Sequence, residues 1–248
     1  MTFKILGMRV DAVNYDSVTQ NISEWAQTHE GRYVCVVAVH AVMEGYDHPE
    51  YQEIINAADL VTPDGMPLVW SLRRMGVTGQ QRVYGPELTL RTLSVAAERG
   101  IPVGFLGGTQ ETIELLVNNV SQHFPAVQIA YRFSPPFRIA TSDEDNMIVK
   151  DINDSGAKIL FVGLGCPKQE KWMAVHSGKV QAVMVGVGAT FDFIAGTKRQ
   201  APKWMQSNGL EWLFRFSQEP GRLWQRYIYH NPRFVLLVML PLLFKHFP

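Results

Sequence analysis

Short apolar, β-branched runs alternate with amphipathic stretches along most of this chain, and few folds accommodate that order. Such a run, bounded by turn residues, reads as a buried strand, and a stretch with apolar residues at helical spacing reads as a helix laid on the sheet. Repeated alternation of the two builds a mostly parallel sheet, since each crossover helix returns the chain to begin the next strand in the same direction. The strand candidates are residues 33–39, 60–62, 103–106, 127–131, 159–163 and 182–186, and helical spacing runs through 17–28, 50–57, 85–98 and 109–123. Helix starts are marked by Thr109, closely followed by Glu111, and by Ser142, three residues before Asp145. The expected fold is α/β, with a Rossmann-like, mostly parallel sheet.

The chain has 248 residues, 46% of them hydrophobic and 19% charged, enough to bury a real core. Its formal charge is zero, but residues 1–195 hold 15 Lys+Arg against 21 Asp+Glu, a net of −6, and residues 196–248 hold 8 against 2, a net of +6. A cationic module on a mildly acidic body points to an anionic partner such as phosphate or lipid head groups, and away from a general nucleic-acid binder, which would be basic throughout. The two cysteines, Cys35 and Cys166, form no C-x-x-C pair and indicate neither a disulfide framework nor a zinc site. The opening MTFKILGMRVDAV lacks the layout of a signal peptide and reads as a first strand, so a reducing cytosolic location is expected.

Three Gly-bearing turns follow apolar strands: Gly107, Gly108 and Thr109 in the first, Gly163, Gly165, Pro167, Lys168 and Gln169 in the second, Gly188 and Asp192 in the third. In an open α/β sheet ligands bind beyond the carboxyl ends of the strands, where glycine lets backbone N–H groups approach phosphate. Tight strand-to-helix packing selects glycine too, so each turn also has a purely structural reading. Asp64 follows a short strand between Pro63 and Gly65, where a rigid turn holds a carboxylate ready to act as a general base; an Asp-Gly turn without chemistry is the alternative. His40 follows the strand candidate 33–39 and reads as a donor to a diphosphate, as a positioning group or as a structural histidine. Arg82 and Gly85, in Gln-Arg-Val-Tyr-Gly-Pro, and Lys168 lie on loops where a cation can neutralise a leaving diphosphate. The triplet Asp143-Glu144-Asp145 has the outline of a D-x-D metal motif but reads as the solvated first turn of a helix. No metal site is expected.

The α/β rhythm breaks near residues 196–202, which divides the chain into a catalytic core, 1–195, and a basic, aromatic appendage, 196–248. The appendage carries 10 of the 27 aromatic residues. Its Arg222, Arg226 and Arg233 beside Trp224, Tyr227 and Tyr229 suit a helix at a membrane surface, and its last apolar run, to Phe247 and broken by Pro241, is shorter than the roughly 20 residues needed to span a bilayer. A helix packed on the protein's own core, or on another subunit of a homo-oligomer, is the other reading.

Taken in order, Thr-Pro-Asp-Gly-Met-Pro, Arg-Val-Tyr-Gly-Pro, Phe-Leu-Gly-Gly-Thr, Gly-Leu-Gly-Cys-Pro-Lys-Gln-Glu-Lys-Trp, Gly-Val-Gly-Ala-Thr-Phe-Asp and Leu-Glu-Trp-Leu-Phe-Arg resemble the WecG/TagA/CpsF glycosyltransferases from about Cys35 to Arg233. The resemblance implies an inverting, metal-independent transferase with no cofactor. It would move a hexosyl or N-acetylhexosaminyl residue from a UDP-sugar to a polyprenyl-diphosphate-linked glycan acceptor in bacterial polysaccharide biosynthesis. The chain would lie peripherally on the anionic cytoplasmic face of the inner membrane, under a membrane-facing helical appendage. It places the family's catalytic aspartate at Asp64, its Pro-Lys-Gln-Glu glutamine at Gln169 and its tail arginines at Arg215, Arg222 and Arg226. One position departs: many relatives carry Asn immediately before the position of His40, where this chain has Val39. Two other classes remain, a Rossmann-type nucleotide-sugar oxidoreductase or epimerase and a non-catalytic membrane-associated scaffold. Against the first, no early G-x-G-x-x-G follows the first strand.

Overall fold

The computed structural model describes residues 1–28, 31–138 and 140–244. The opening residues do not form the single strand expected of them. Leu6 and Gly7 both take positive φ, 49° and 86°, and such a two-residue turn folds the segment into an antiparallel hairpin of β1 (Thr2–Ile5) and β2 (Met8–Asp11). Asp11 and Arg9 fasten this hairpin to the main domain: Asp11 Oδ2 accepts the Val61 N–H at 2.9 Å, and the Arg9 guanidinium donates to the carbonyls of Ala58 and Asp59.

The chain then runs α1 (Tyr15–Trp25), β3 (Tyr33–Val37), α2 (Val39–Asp47), α3 (Pro49–Asn56), β4 (Leu60–Pro63), α4 (Met66–Arg74), α5 (Gly85–Arg99), β5 (Val103–Gly107), α6 (Gln110–His123), β6 (Ile129–Phe133), α7 (Ser142–Ser155), β7 (Ile159–Gly163), α8 (Lys168–His176), β8 (Val183–Gly186) and α9 (Thr190–Ala195). Strands β3 to β8 form one parallel sheet in the order β4-β3-β8-β7-β5-β6, as the alternation predicts. Helix α4 was not foreseen, because its first residues, Met66-Pro67, continue a turn-like sequence. Proline is nevertheless at home in a first helical turn, where its missing N–H has no partner to lose.

Successive strand residues feed opposite faces of the sheet. Cys35, Val37, Leu160, Val162 and Met184 pack on one side with α2, α3 and α4, while Val34, Phe105, Ile159, Phe161, Val183 and Val185 pack on the other with α5, α6 and α9. Phe105 stacks on Phe161 at 5.5 Å and meets the edge of Phe191 at 5.8 Å.

Beyond residue 196 come α10 (Lys203–Ser207), α11 (Glu211–Gln218) and one long helix, α12 (Pro220–Phe244). Leu223, Tyr227, Phe234 and Val238 make a buried stripe along α12, two of them joining the core on the α2 side, and Arg233 pairs with Asp47 of α2 through bonds of 2.6 and 2.7 Å. The opposite face, with Ile228, Leu236, Leu240, Leu243 and Phe244, is exposed. The last apolar run, too short by itself to span a bilayer, is part of a longer element: α12 is a continuous 25-residue helix, long and apolar enough by length and composition to cross a membrane. Prolines do not end it. The rings of Pro232 and Pro241 crowd the carbonyls four residues back, Ile228 and Leu237, and both of these lie in widened π-helical turns, Gln225–Tyr229 and Val235–Met239. The final residues of the expected run, 245–247, lie outside the described residues.

Candidate active site

Strand order decides which turns share a crevice. The chain leaves β3 toward β4 on one side, while β8 and β7 lie on the other, so the loops after these four neighbouring strands diverge around one opening at their carboxyl ends. A cavity of about 420 Å³ occupies that opening, and α10, α11 and α12 close its outer side with Gln206, Glu211, Trp212, Arg215, Arg222 and Arg226.

The loop after β4 delivers Asp64. Its N–H donates to Val37 O at 2.8 Å, extending the β3–β4 ladder by one bond, so the carboxylate leaves from backbone held by the sheet. Oδ1 accepts from Arg82 Nε at 3.0 Å and from Arg82 Nη2 at 2.8 Å, and the Asp64 carbonyl accepts from Nε as well. Among the described residues Oδ2 has no hydrogen-bond donor. Arg82 Nη2 also reaches Glu211 Oε2 of α11 at 2.7 Å, and the guanidinium lies 4.1 Å from the Tyr84 ring centre. Burial pushes the Asp64 carboxyl above its ordinary value, Arg82 opposes that push and Glu211 adds to it. His40, at the start of α2, is held well below its usual value by burial, with Arg226 and Arg215 acting in the same direction, so it is a neutral imidazole at neutral pH.

The loops after β7 and β8 are joined by Gln169. Its Oε1 accepts the Gly188 N–H at 3.0 Å, and its Nε2 donates to Glu170 Oε1 at 2.7 Å. Glu170 is 1% exposed, and burial raises its carboxyl above the usual range. Tyr51 O–H and Cys166 Sγ meet 3.2 Å apart beside it.

Of the candidates from sequence, Asp64, His40, Arg82, Gly165, Pro167, Lys168, Gln169, Gly188, Arg215, Arg222 and Arg226 line the cavity, and Val39 presents an apolar wall there. The others stand apart. Gly107 and Gly163 face each other across β5 and β7, where a Cβ on Gly107 would fall 2.6 Å from the Gly163 backbone, and a Cβ on Gly163 would meet the Phe191 ring at 2.6 Å. Gly108 accepts the Ser134 hydroxyl at its carbonyl, and Thr109 caps α6. The turn after β5, with Gly107, Gly108 and Thr109, sits one strand beyond the opening, and the close approaches at Gly107 and Gly163 serve packing. Gly85 approaches Thr190 Oγ1, Asp192 pairs with Lys198 at 2.9 Å, and Arg233 is taken by Asp47. Asp145 is no solvated carboxylate: Oδ1 accepts Trp172 Nε1 at 2.9 Å and Oδ2 lies 2.8 Å from His176 Nε2, tying α7 to α8. Among the described residues no cluster of three or more His, Cys, Asp or Glu is arranged to hold a metal ion.

Sequence reasoning assigned no role to Glu211 or Tyr84. Glu211 had a signal, as one of only two acidic residues in the basic tail.

Residues 3–247 match the model of the glycosyl transferase WecG/TagA/CpsF family. The chain is also similar to proteins of Staphylococcus aureus strains NCTC 8325, COL and MSSA476. Each is named N-acetylglucosaminyldiphosphoundecaprenol N-acetyl-beta-D-mannosaminyltransferase, with 28% identity over 214 residues, 85% of this chain and 82% of theirs. A parallel α/β sheet with its crevice at the strand ends and a family match over nearly the whole length agree, and this chain belongs to the WecG/TagA/CpsF family of glycosyltransferases.

Proposed function

We propose that this glycosyltransferase moves a hexosyl or N-acetylhexosaminyl residue from a UDP-sugar to a hydroxyl of a polyprenyl-diphosphate-linked glycan, with inversion, without a metal ion, at the cytoplasmic face of the bacterial inner membrane. The observation that carries this reading is Asp64: a sheet-anchored carboxylate in the crevice whose Oδ2 has no partner among the described residues. Oδ2 takes the proton of the acceptor hydroxyl as that oxygen attacks the anomeric carbon. The bond from that carbon to the β-phosphate oxygen breaks, and UDP leaves. A single displacement inverts the anomeric centre. Charge on the departing diphosphate falls to Arg215, Arg222 and Arg226, which line the same cavity, and to backbone N–H groups of the Gly165 turn. Two carboxylates of the site, Asp64 and Glu211, both bind the Arg82 guanidinium, so a cation already stands between them.

The relatives' names specify a lipid-linked acceptor, which supports membrane docking here, and the exposed apolar face of α12 offers the surface for it. Arg215, Arg222, Arg226 and Arg233 contribute little to that docking, because Arg215 and Arg226 line the crevice while Arg222 and Arg233 pair with Glu219 and Asp47.

The test is transfer from UDP-sugars to synthetic lipid-diphosphate acceptors, with the product's anomeric configuration read by NMR. Inversion, insensitivity to EDTA, and a fall of roughly 10²- to 10⁴-fold for Asp64→Asn with UDP binding retained are expected. Retention, or activity lost to EDTA and restored by Mg²⁺, refutes the mechanism.

A further inference from the structure

Three charged side chains meet at the base: Asp64 from the loop after β4, Arg82 from the loop before α5 and Glu211 from α11 of the appendage. One nitrogen, Arg82 Nη2, serves both carboxylates, at 2.8 Å to Asp64 and 2.7 Å to Glu211. All three side chains are shielded from solvent, at 16% exposure for Arg82, 21% for Asp64 and 12% for Glu211, so water screens their interaction weakly. The charge count then matters. A carboxylate with a guanidinium to itself forms a neutral pair and is a poor base, since an opposite charge at hydrogen-bond distance lowers its pKa by about 1–3 units. With Glu211 present the cluster carries one net negative charge, which favours the arrival of a proton.

We infer that Glu211 is a positioning residue that sets the basicity of Asp64 by taking a share of the Arg82 guanidinium. The inference rests on the reading of Asp64 as the base. Other groups around Asp64 do not replace this effect. Tyr84 and Tyr15 are neutral phenols, Arg215 of α11 adds a further cation, and His40 across the crevice is neutral. Only Glu211 among these supplies a negative charge.

The experiment is the pH dependence of kcat and KM for the full-length enzyme and its Glu211→Gln, Glu211→Asp and Asp64→Asn variants, with thermal unfolding of each. Glu211→Gln keeps shape and an acceptor oxygen for Arg82 but removes the charge. The acid limb of its kcat profile should move down by about one pH unit. Its plateau should fall about 10-fold, a fraction of the loss of a whole base. Donor KM should hold, and Glu211→Asp should return the limb toward its original position. A Glu211→Gln enzyme with lower activity but an unmoved acid limb, or with raised KM and unchanged kcat, makes Glu211 a structural tie of the appendage and overturns the inference while Asp64 keeps its role. Near-wild-type turnover by Asp64→Asn would instead remove the base itself.

Discussion

Replacing Gln169 by alanine measures how far the crevice depends on one buried amide. The side chain is 3% exposed and bonds two loops, accepting from Gly188 and donating to Glu170. Removing the donor from a buried carboxyl costs about 1.5–3 kcal/mol. A void of roughly 40 Å³ left against Gly186 adds about 1 kcal/mol. Gly188 is only half-buried, so water takes over its N–H at small cost. The total is roughly 2–4 kcal/mol, or about 4–16 °C in the unfolding midpoint of a chain this long. The loss has a pH signature. Burial holds the Glu170 carboxyl above its ordinary value, and the Gln169 N–H bond restrains that rise by favouring the charged form. A folded-state pKa above the unfolded one gives stability that is complete below the unfolded value and is lost as pH rises through the folded value. Without Gln169 the folded value climbs further, so the variant's deficit is smallest in acid and widens toward alkaline pH. Urea unfolding of wild type and Gln169→Ala at about pH 5.5 and 8 reads both effects. A deficit under about 1 kcal/mol at both pH values, or one that shrinks as pH rises, would show that Gln169 is not the tie described.

Arg82→Ala should destabilise the fold by about 3–5 kcal/mol, because it leaves the shielded carboxylates Asp64 and Glu211 facing each other without their cation, and chemical denaturation will show it. Flotation with liposomes should depend on the exposed face of α12: Ile228→Ser, Leu236→Ser and Leu240→Ser together should abolish it, while the unfolding midpoint moves little, since these side chains lie outside the core. Because Arg215 and Arg226 line the crevice and Arg222 and Arg233 are paired, flotation should survive salt; binding that disappears in high salt would place the cations at the membrane after all.

Local pattern was sufficient for the sheet. A β-branched run such as Tyr33–Val37 has few ways to bury both faces other than as an interior parallel strand, so all six sheet strands were legible to within a few residues. Asp64 was legible too, since its neighbours Pro63 and Gly65 shape a turn that any reader of dihedral preferences recognises. Strand order was not, because it depends on which helices cover which face, and that order alone seats the turns after β7 and β8 in the crevice while leaving Gly107, Gly108 and Thr109 one strand away. The hairpin hid for a related reason: Leu6-Gly7 is a short interruption in an apolar run, and only contacts with β4 and α3, distant in sequence, reward the fold-back. The appendage shows the division most sharply. Composition marked it as cationic and aromatic, which suggested arginines at a lipid surface. The helical register of α12 and its ion pairs instead set Arg226 at the crevice, Arg222 on Glu219 and Arg233 on Asp47, and leave an apolar face outward. Net charge is a property of the chain, whereas the direction of each charge follows from which stripe of a helix the core can bury.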